Sequence, residues 1–264
     1  FGSSFETEAF ESEKKVVLSE LERGEDNPDS LLFKTVQGMT FPGTSYGWPV
    51  IGTRESVSSL TREDLVNYVS RLYQPQSMLL VVVGRIDPAQ VVAEAETLFG
   101  KLQNDRLIVP PTPFALAGLG GGLSFKVKAG NWNKAYLSLA FPAPDLASEK
   151  TAGLEVLTQL LGGDKTSRLY RRFKYTERIV DEIWAANVSL ERGGLIVVQA
   201  TLDADKVRDF LAGLSADLAG LKATDFTAEE LDRAKLNLED SLFRAKETLS
   251  GLASKIGYFQ FFEN

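Results

Sequence analysis

Histidine and cysteine are both absent from the 264 residues. Without an imidazole the chain cannot by itself supply a Ser-His-Asp triad, a Cys-His pair or the nitrogen ligands of a catalytic zinc. Without a thiol it has no disulfide and no thiolate metal site; this fits an oxidising or a reducing compartment, so a bacterial periplasm and a cytoplasm both stay open. Positive charge is also in short supply: 29 Lys and Arg face 36 Asp and Glu, for a net charge of -7. That leaves no basic field for phosphates, and no Lys/Arg run interleaves with aromatics, which argues against a nucleic-acid partner. No apolar run approaches the roughly 20 residues that cross a bilayer, and no basic segment followed by an apolar one opens the chain. Any hydrolytic chemistry must therefore borrow residues from elsewhere. The start at Phe1 and the end at Phe261-Phe262-Glu263-Asn264 read as those of a piece of a longer protein.

What is present is ordinary globular material, 44% hydrophobic and 25% charged, enough for one large or two medium cores. Residues 7 to 26 read as a helix ended by Gly24 and the Asn27-Pro28 step, with a second helix starting near Pro28. Residues 41 to 49 are loop by their Gly and Pro. Thr61 with Asp64 opens a helix from Arg62 to Tyr73. The run Met78 to Val83 reads as a buried strand, and Asp87-Pro88 opens a helix from Ala89 to Phe99. Residues 109 to 122, rich in Pro and Gly, separate this part from the next as a linker.

Beyond the linker come strands over 123 to 128 and 135 to 141 and a helix from Glu149 to Leu161. A Gly162-Gly163 break and a short helix near 167 to 175 follow. Strands 179 to 190 and 195 to 202 are joined at Gly193-Gly194 as a hairpin, Asp203 caps a helix to about 222, and Thr227 with Glu230 caps a long helix from Ala228 to about Lys246. This order suits an α+β fold, with helices on one face of a mostly antiparallel sheet.

On the first helix, residues seven apart nearly coincide in direction, so Glu13 and Glu20 share a face. Val16 and Val17 flank the pair, with Phe10 and Leu21 just beyond, which places two carboxylates inside an apolar stripe. A carboxylate there needs a cation, a donor or a metal opposite it. Salt-bridged acids at a helix edge and a metal ligand are both open readings of this pattern.

The segment Glu11 to Leu21, followed by Glu25-Asp26-Asn27-Pro28, resembles the helix of pitrilysin/insulinase-type zinc metallopeptidases that carries their third zinc ligand. The similarity continues in order through Tyr46-Gly47-Trp48-Pro49-Val50-Ile51-Gly52-Thr53, Leu60 to Leu65, Tyr73-Gln74-Pro75, Val81 to Asp87 and Ser167-Arg168-Leu169-Tyr170. In that family an inverted His-x-x-Glu-His motif supplies two imidazoles and a general base, and a downstream Glu completes a site with one position open for water. The resemblance implies that Glu20 is the third metal ligand, and that Glu13 is the catalytic-site acid supporting it one helical repeat earlier. It also implies one zinc in the complete protein, a peptide substrate, and the inverted motif upstream of Phe1.

The implied organisation is two related half-domains: 1–108 is the C-terminal part of the zinc-site domain, 109–122 the linker, and 123–264 a truncated, inactive second domain forming part of the substrate wall. Family members often use an Arg and a Tyr seven residues apart in the second domain to grip peptide. Arg168 and Tyr175 have that spacing, but aligning Ser167-Arg168-Leu169 with the family pattern moves the pair to Lys174 and Asp181, which do not fit the role. In that register Arg168 serves structural pairing, and a second family subunit in a homo- or hetero-oligomer supplies the clamp.

The alternative implied role is a non-catalytic partner or scaffold subunit. Gly118 to Gly122 lacks the Lys-Ser/Thr of a phosphate loop, Asn187-Val188-Ser189 is a sequon inside a strand, and Trp48, Trp132 and Trp184 read as core or interdomain aromatics.

Overall fold

A computed structural model describes residues 4–102 and 122–262. The chain forms two compact units, one of residues 1–21, 51–113 and 240–264, the other of residues 22–50 and 114–239. The division between the units falls within α1 (Thr7–Asp26) and within the later α8 (Ala228–Ala245).

In the second unit the sheet has three antiparallel strands in the order β1 (Ala135–Ala143), β3 (Gly193–Leu202), β2 (Glu182–Leu190). The fold is α+β, but helices cover both faces of this sheet rather than one. The reason lies in β3, which is apolar on both sides and buried almost throughout. Its Val198, Ala200 and Leu202 join Ile183 and Ala185 of β2 in a core closed by Leu161, Leu169, Phe173, Phe210 and Leu214. Alternate residues Leu195 and Val197 face the other way and meet Val36 and Phe41 at the end of α2 (Pro28–Thr40). Asn27 caps α2 through a hydrogen bond from the Ser30 N–H at 3.0 Å, with Pro28 at the first helical position. Gln199, buried on the α2 side, donates to Asp29 at 2.7 Å, which satisfies a polar group the sheet would otherwise bury alone.

The hairpin turn is Glu191–Arg192, since Leu190 pairs with Gly193. Gly193 and Gly194 therefore belong to the strand, not to the turn. Gly194 is needed there because a Cβ would lie 2.7 Å from the Pro144 carbonyl oxygen. Helix α6 (Thr151–Thr158) continues as a π-helical turn over Gln159–Gly163, and a second π-helical stretch spans Tyr170–Thr176. At Gly162 the backbone leaves helical geometry, with φ -154° and ψ 17°, and runs against β2: a Cβ would sit 2.3 Å from the Ala185 nitrogen. Helix α7 (Val207–Gly220) follows β3. Asp203 does not cap it, because its carboxylate is engaged by Lys134 and Lys206.

The first unit holds the start of α1, then α3 (Arg54–Ser59), α4 (Arg62–Leu72), α5 (Pro88–Phe99) and α9 (Leu249–Phe262). Reciprocal Thr-to-N3 capping bonds start α3 at Thr53 and α4 at Thr61, and Asp87 caps α5. Lys14 of α1 donates to the Leu60 carbonyl at 2.7 Å, and Arg62 donates to the carbonyls of Ser4 and Phe5.

Two strands read from the sequence do not form. Residues 78–83 and 123–128 are unpaired, with Met78, Leu80, Leu123, Phe125 and Val127 exposed. Apolar content made both segments look strand-like, but a strand exists only with a partner ladder, and among the described residues neither segment has one. The linker reading over 109–122 falls, save for Gly122, outside the described residues. No helix among the described residues is long and apolar enough to cross a membrane.

Candidate functional site

On α1 the buried stripe is Leu21, flanked by half-buried Phe10, Val17 and Leu18. Glu13 and Glu20 lie about 80 to 100° around the helix from its centre at about 100° per residue. Both are exposed, and so is Val16 beyond them. The acids thus share a face as their spacing requires, but they flank the apolar stripe rather than sitting inside it. The expectation of carboxylates embedded in an apolar face is corrected accordingly, because the stripe is narrower than the flanking valines suggested.

Among the described residues no group of three or more acids could hold a metal. With no imidazole in the chain, Glu20 can provide one oxygen ligand, two short of the three protein ligands of a catalytic zinc. The described residues do not form a zinc site by themselves.

Arg168 is engaged inside the second unit. Its Nε and Nη2 donate to the two carboxylate oxygens of Glu230 at 3.2 and 2.9 Å, Nη2 also donates to the Asp225 carbonyl, and the guanidinium lies 4.2 Å from the centre of the Phe226 ring. Glu230 in turn accepts from the Thr227 N–H at 2.9 Å and closes the capping box of α8. These donors, Arg168 first, pull the Glu230 carboxyl down to about 2. Tyr175 points away into solvent at 76% exposure. Of the alternative pair, Lys174 lies over the Tyr170 ring and Asp181 binds Lys134, so they too share no site.

Beside the Arg168 latch a cleft of about 530 Å³ is floored by Leu161, Leu169, Leu218 and Leu221. Arg172 closes one side through Glu177 at 2.7 Å and through Asp217, contacts that raise its pKa. Sequence reading missed this second latch, and also Lys134. Lys134 binds Asp181 and Asp203 at 2.7 Å each and ties the ends of all three strands together. That pairing raises the Lys134 pKa and lowers that of Asp203. The partners lie 47 and 69 positions away along the chain, and no local pattern announces them. Of the tryptophans, Trp48 and Trp184 are exposed rather than core, and Trp132 packs edge-on to Tyr136. Asn187 of the sequon is tied inward to Glu155 and Ser189.

The family model described as the peptidase M16 inactive domain matches residues 59–238. The chain belongs to the peptidase M16 family. An uncharacterized zinc protease of Bacillus subtilis, YmxG, is 24% identical over 97% of this chain and 61% of its own length. The probable mitochondrial-processing peptidase subunit beta of Arabidopsis thaliana is 26% identical over 97% of this chain and 49% of its own. A crystal structure of a protease from Helicobacter pylori superposes with a TM-score of 0.83 at 21% identity, covering 98% of this chain and 63% of that one. The M16 chain described here therefore spans about half to three fifths of the length of these proteins. Metallopeptidase ancestry, read from short motifs in one order, is established by this match, and so is the α+β class.

Proposed function

We propose that this M16 chain is part of a zinc-dependent metalloendopeptidase subunit that hydrolyses peptides or unfolded polypeptides, and that it is inactive alone. The observation that carries the reading is the pair Glu13 and Glu20, exposed one helical repeat apart on one face of α1, in a chain whose relatives are named zinc proteases. Glu20 provides one carboxylate ligand, Glu13 supports it, and two imidazoles and the general base come from polypeptide outside these residues. When bound, zinc supplies a water acidic enough to attack at neutral pH. In this reading residues 1–108 complete the metal-bearing domain, 109–122 is the linker, and 123–264 forms the substrate wall.

A second reading, a non-catalytic partner or scaffold subunit, is favoured by the match to an inactive domain and by a relative named as a subunit. With Arg168 committed to Glu230 and Tyr175 apart from it, a peptide clamp would come from a second subunit.

The deciding experiment is metal analysis and peptide cleavage by the complete parent polypeptide. In the catalytic reading it holds about one zinc per chain. Glu20→Gln loses the metal and the activity together, and Glu13→Gln weakens metal affinity or rate about 10- to 100-fold, as loss of a supporting partner does. Unchanged zinc content and rate in Glu20→Gln would overturn the assignment, and a parent without zinc or activity would favour the scaffold.

A further inference from the structure

The cleft beside the Arg168 latch lies wholly within the second unit and, at about 530 Å³, has the size of an ordinary small-molecule pocket. Leu161 and Leu169 are buried beneath it, and the half-buried Leu218 and Leu221, at the end of α7 and just past it, complete an apolar floor. One wall is the π-helical stretch Tyr170–Thr176, whose turn is closed by an i to i+5 bond from the Glu177 N–H to the Arg172 carbonyl at 2.8 Å. Such turns are rare and recur at functional sites. Each residue of a π turn is rotated from the last by less than the 100° of an α-helix, and here the consecutive Arg171 and Arg172 both line the cleft.

Of the three arginines on the rim, two are committed: Arg168 is matched by Glu230, and Arg172 by Glu177 and Asp217. The remaining acid of the lining, Asp225, accepts from the Lys222 N–H at 2.8 Å and so caps its own turn. Arg171 differs from its neighbours. It is exposed, and its guanidinium makes no hydrogen bond or ion pair with a described residue. A planar cation with five free donors is thus left beside an uncovered apolar floor.

We propose that this cleft binds a compact apolar molecule carrying one carboxylate, with the carboxylate paired side-on to Arg171 and the apolar part laid on Leu218 and Leu221. A free phosphate would use the guanidinium but leave the leucines in water. An uncharged apolar molecule would cover the leucines but take water from the cation without replacing its hydrogen bonds. A carboxylate on an apolar body answers both, since its two oxygens match the guanidinium fork and its body covers the floor. A medium-chain fatty acid and the apolar carboxyl end of a short peptide both present this chemistry. Binding there involves no metal and no cleavage, so it belongs to the 264-residue chain itself.

The test is calorimetric titration of the 264-residue chain with octanoate and with N-acetyl-leucyl-leucine, each compared with its amide. At least one acid should bind saturably with a Kd of about 1 mM or tighter. Its amide should bind at least about tenfold more weakly, because the charge-assisted pair is lost. Arg171→Gln should weaken the acid by about tenfold or more and leave the urea midpoint unchanged, since the side chain it replaces is exposed and unpaired. Arg208→Gln, at an exposed arginine of α7 outside the cleft, should leave binding as it was. Binding of octanoate alone identifies a fatty acid as the source, binding of the peptide alone a carboxyl end, and binding of both the shared chemistry. No saturable binding of either acid up to about 10 mM, equal binding of acid and amide, or an acid unaffected by Arg171→Gln overturns the proposal.

Discussion

The guanidinium of Arg168 meets the carboxylate of Glu230 side-on, two donors to two acceptors, across 62 positions of sequence. The carboxylate holds the first turn of α8 through Thr227 at the same time, so one acid joins the turn that leads into the π-helical segment to the start of α8. Both side chains are partly shielded, at 30 and 20% exposure, which places the pair between a surface bridge and a buried one. Arg168→Met should lower stability by about 1–2 kcal/mol, read as a shift in urea midpoint. Arg168→Lys should recover only part of this, because an ammonium cannot make the bidentate contact. Tyr175→Phe should leave the midpoint unchanged.

Acid should release the same latch. Glu230 titrates at about 2 when folded, held there first by Arg168, and near 4.3 when unfolded. A lowered folded value contributes stability that is complete above about pH 4.3 and is lost as pH falls toward about 2, since the unfolded chain then takes up the proton first. Between about pH 6 and pH 3 the urea midpoint of the wild type should fall more steeply than that of Glu230→Gln. Asp203, also lowered by Lys134 and Lys206, leaves some acid sensitivity in the variant. Equal slopes in the two proteins would contradict the latch.

Two glycines on one helical segment should respond in opposite directions. A Cβ on Gly162 would meet backbone atoms of β2 at 2.3 and 2.8 Å, and backbone cannot rotate out of the way. Gly162→Ala should therefore cost about 1–3 kcal/mol. Gly153, exposed inside α6, has nothing within 4 Å of the added methyl. There Ala should stabilise by about 0.5–1 kcal/mol through helix propensity alone.

Local chemistry was the readable part of this sequence. Thr61–Asp64, Asn27–Pro28, Asp87–Pro88 and Thr227–Glu230 each start a helix where their side chains point, because a cap is decided within four residues. The runs on either side of Gly193-Gly194 also located β2 and β3. Partner choice was not readable. Nothing near Leu195 or Val197 says that α2, more than 150 positions earlier, will cover that face. The same limit applies to Glu20: helical arithmetic puts it beside Glu13, but how wide the buried stripe is depends on what packs there.

The clearest separation of the two views lies at residues 78–83. Read as a buried strand, Leu79 and Leu80 would cost several kcal/mol to replace by lysine, since each would take a charge into a core. In the structure they are 44 and 59% exposed, in an extended run that bonds to no strand among the described residues. Leu79→Lys with Leu80→Lys should then move the stability of this chain by no more than about 0.5 kcal/mol. It should also reduce binding of an apolar fluorescent dye, because neighbouring Met78 and Val82, and the α9 residues Ile256, Phe259 and Phe261, leave much of this unit's apolar surface open to solvent. The same double substitution in a polypeptide extended to the length of the M16 relatives is the informative contrast. A cost above about 2 kcal/mol there would mean that polypeptide beyond these residues supplies the missing ladder, and a cost as small as in the isolated chain would mean that the run stays at the surface in the whole protein.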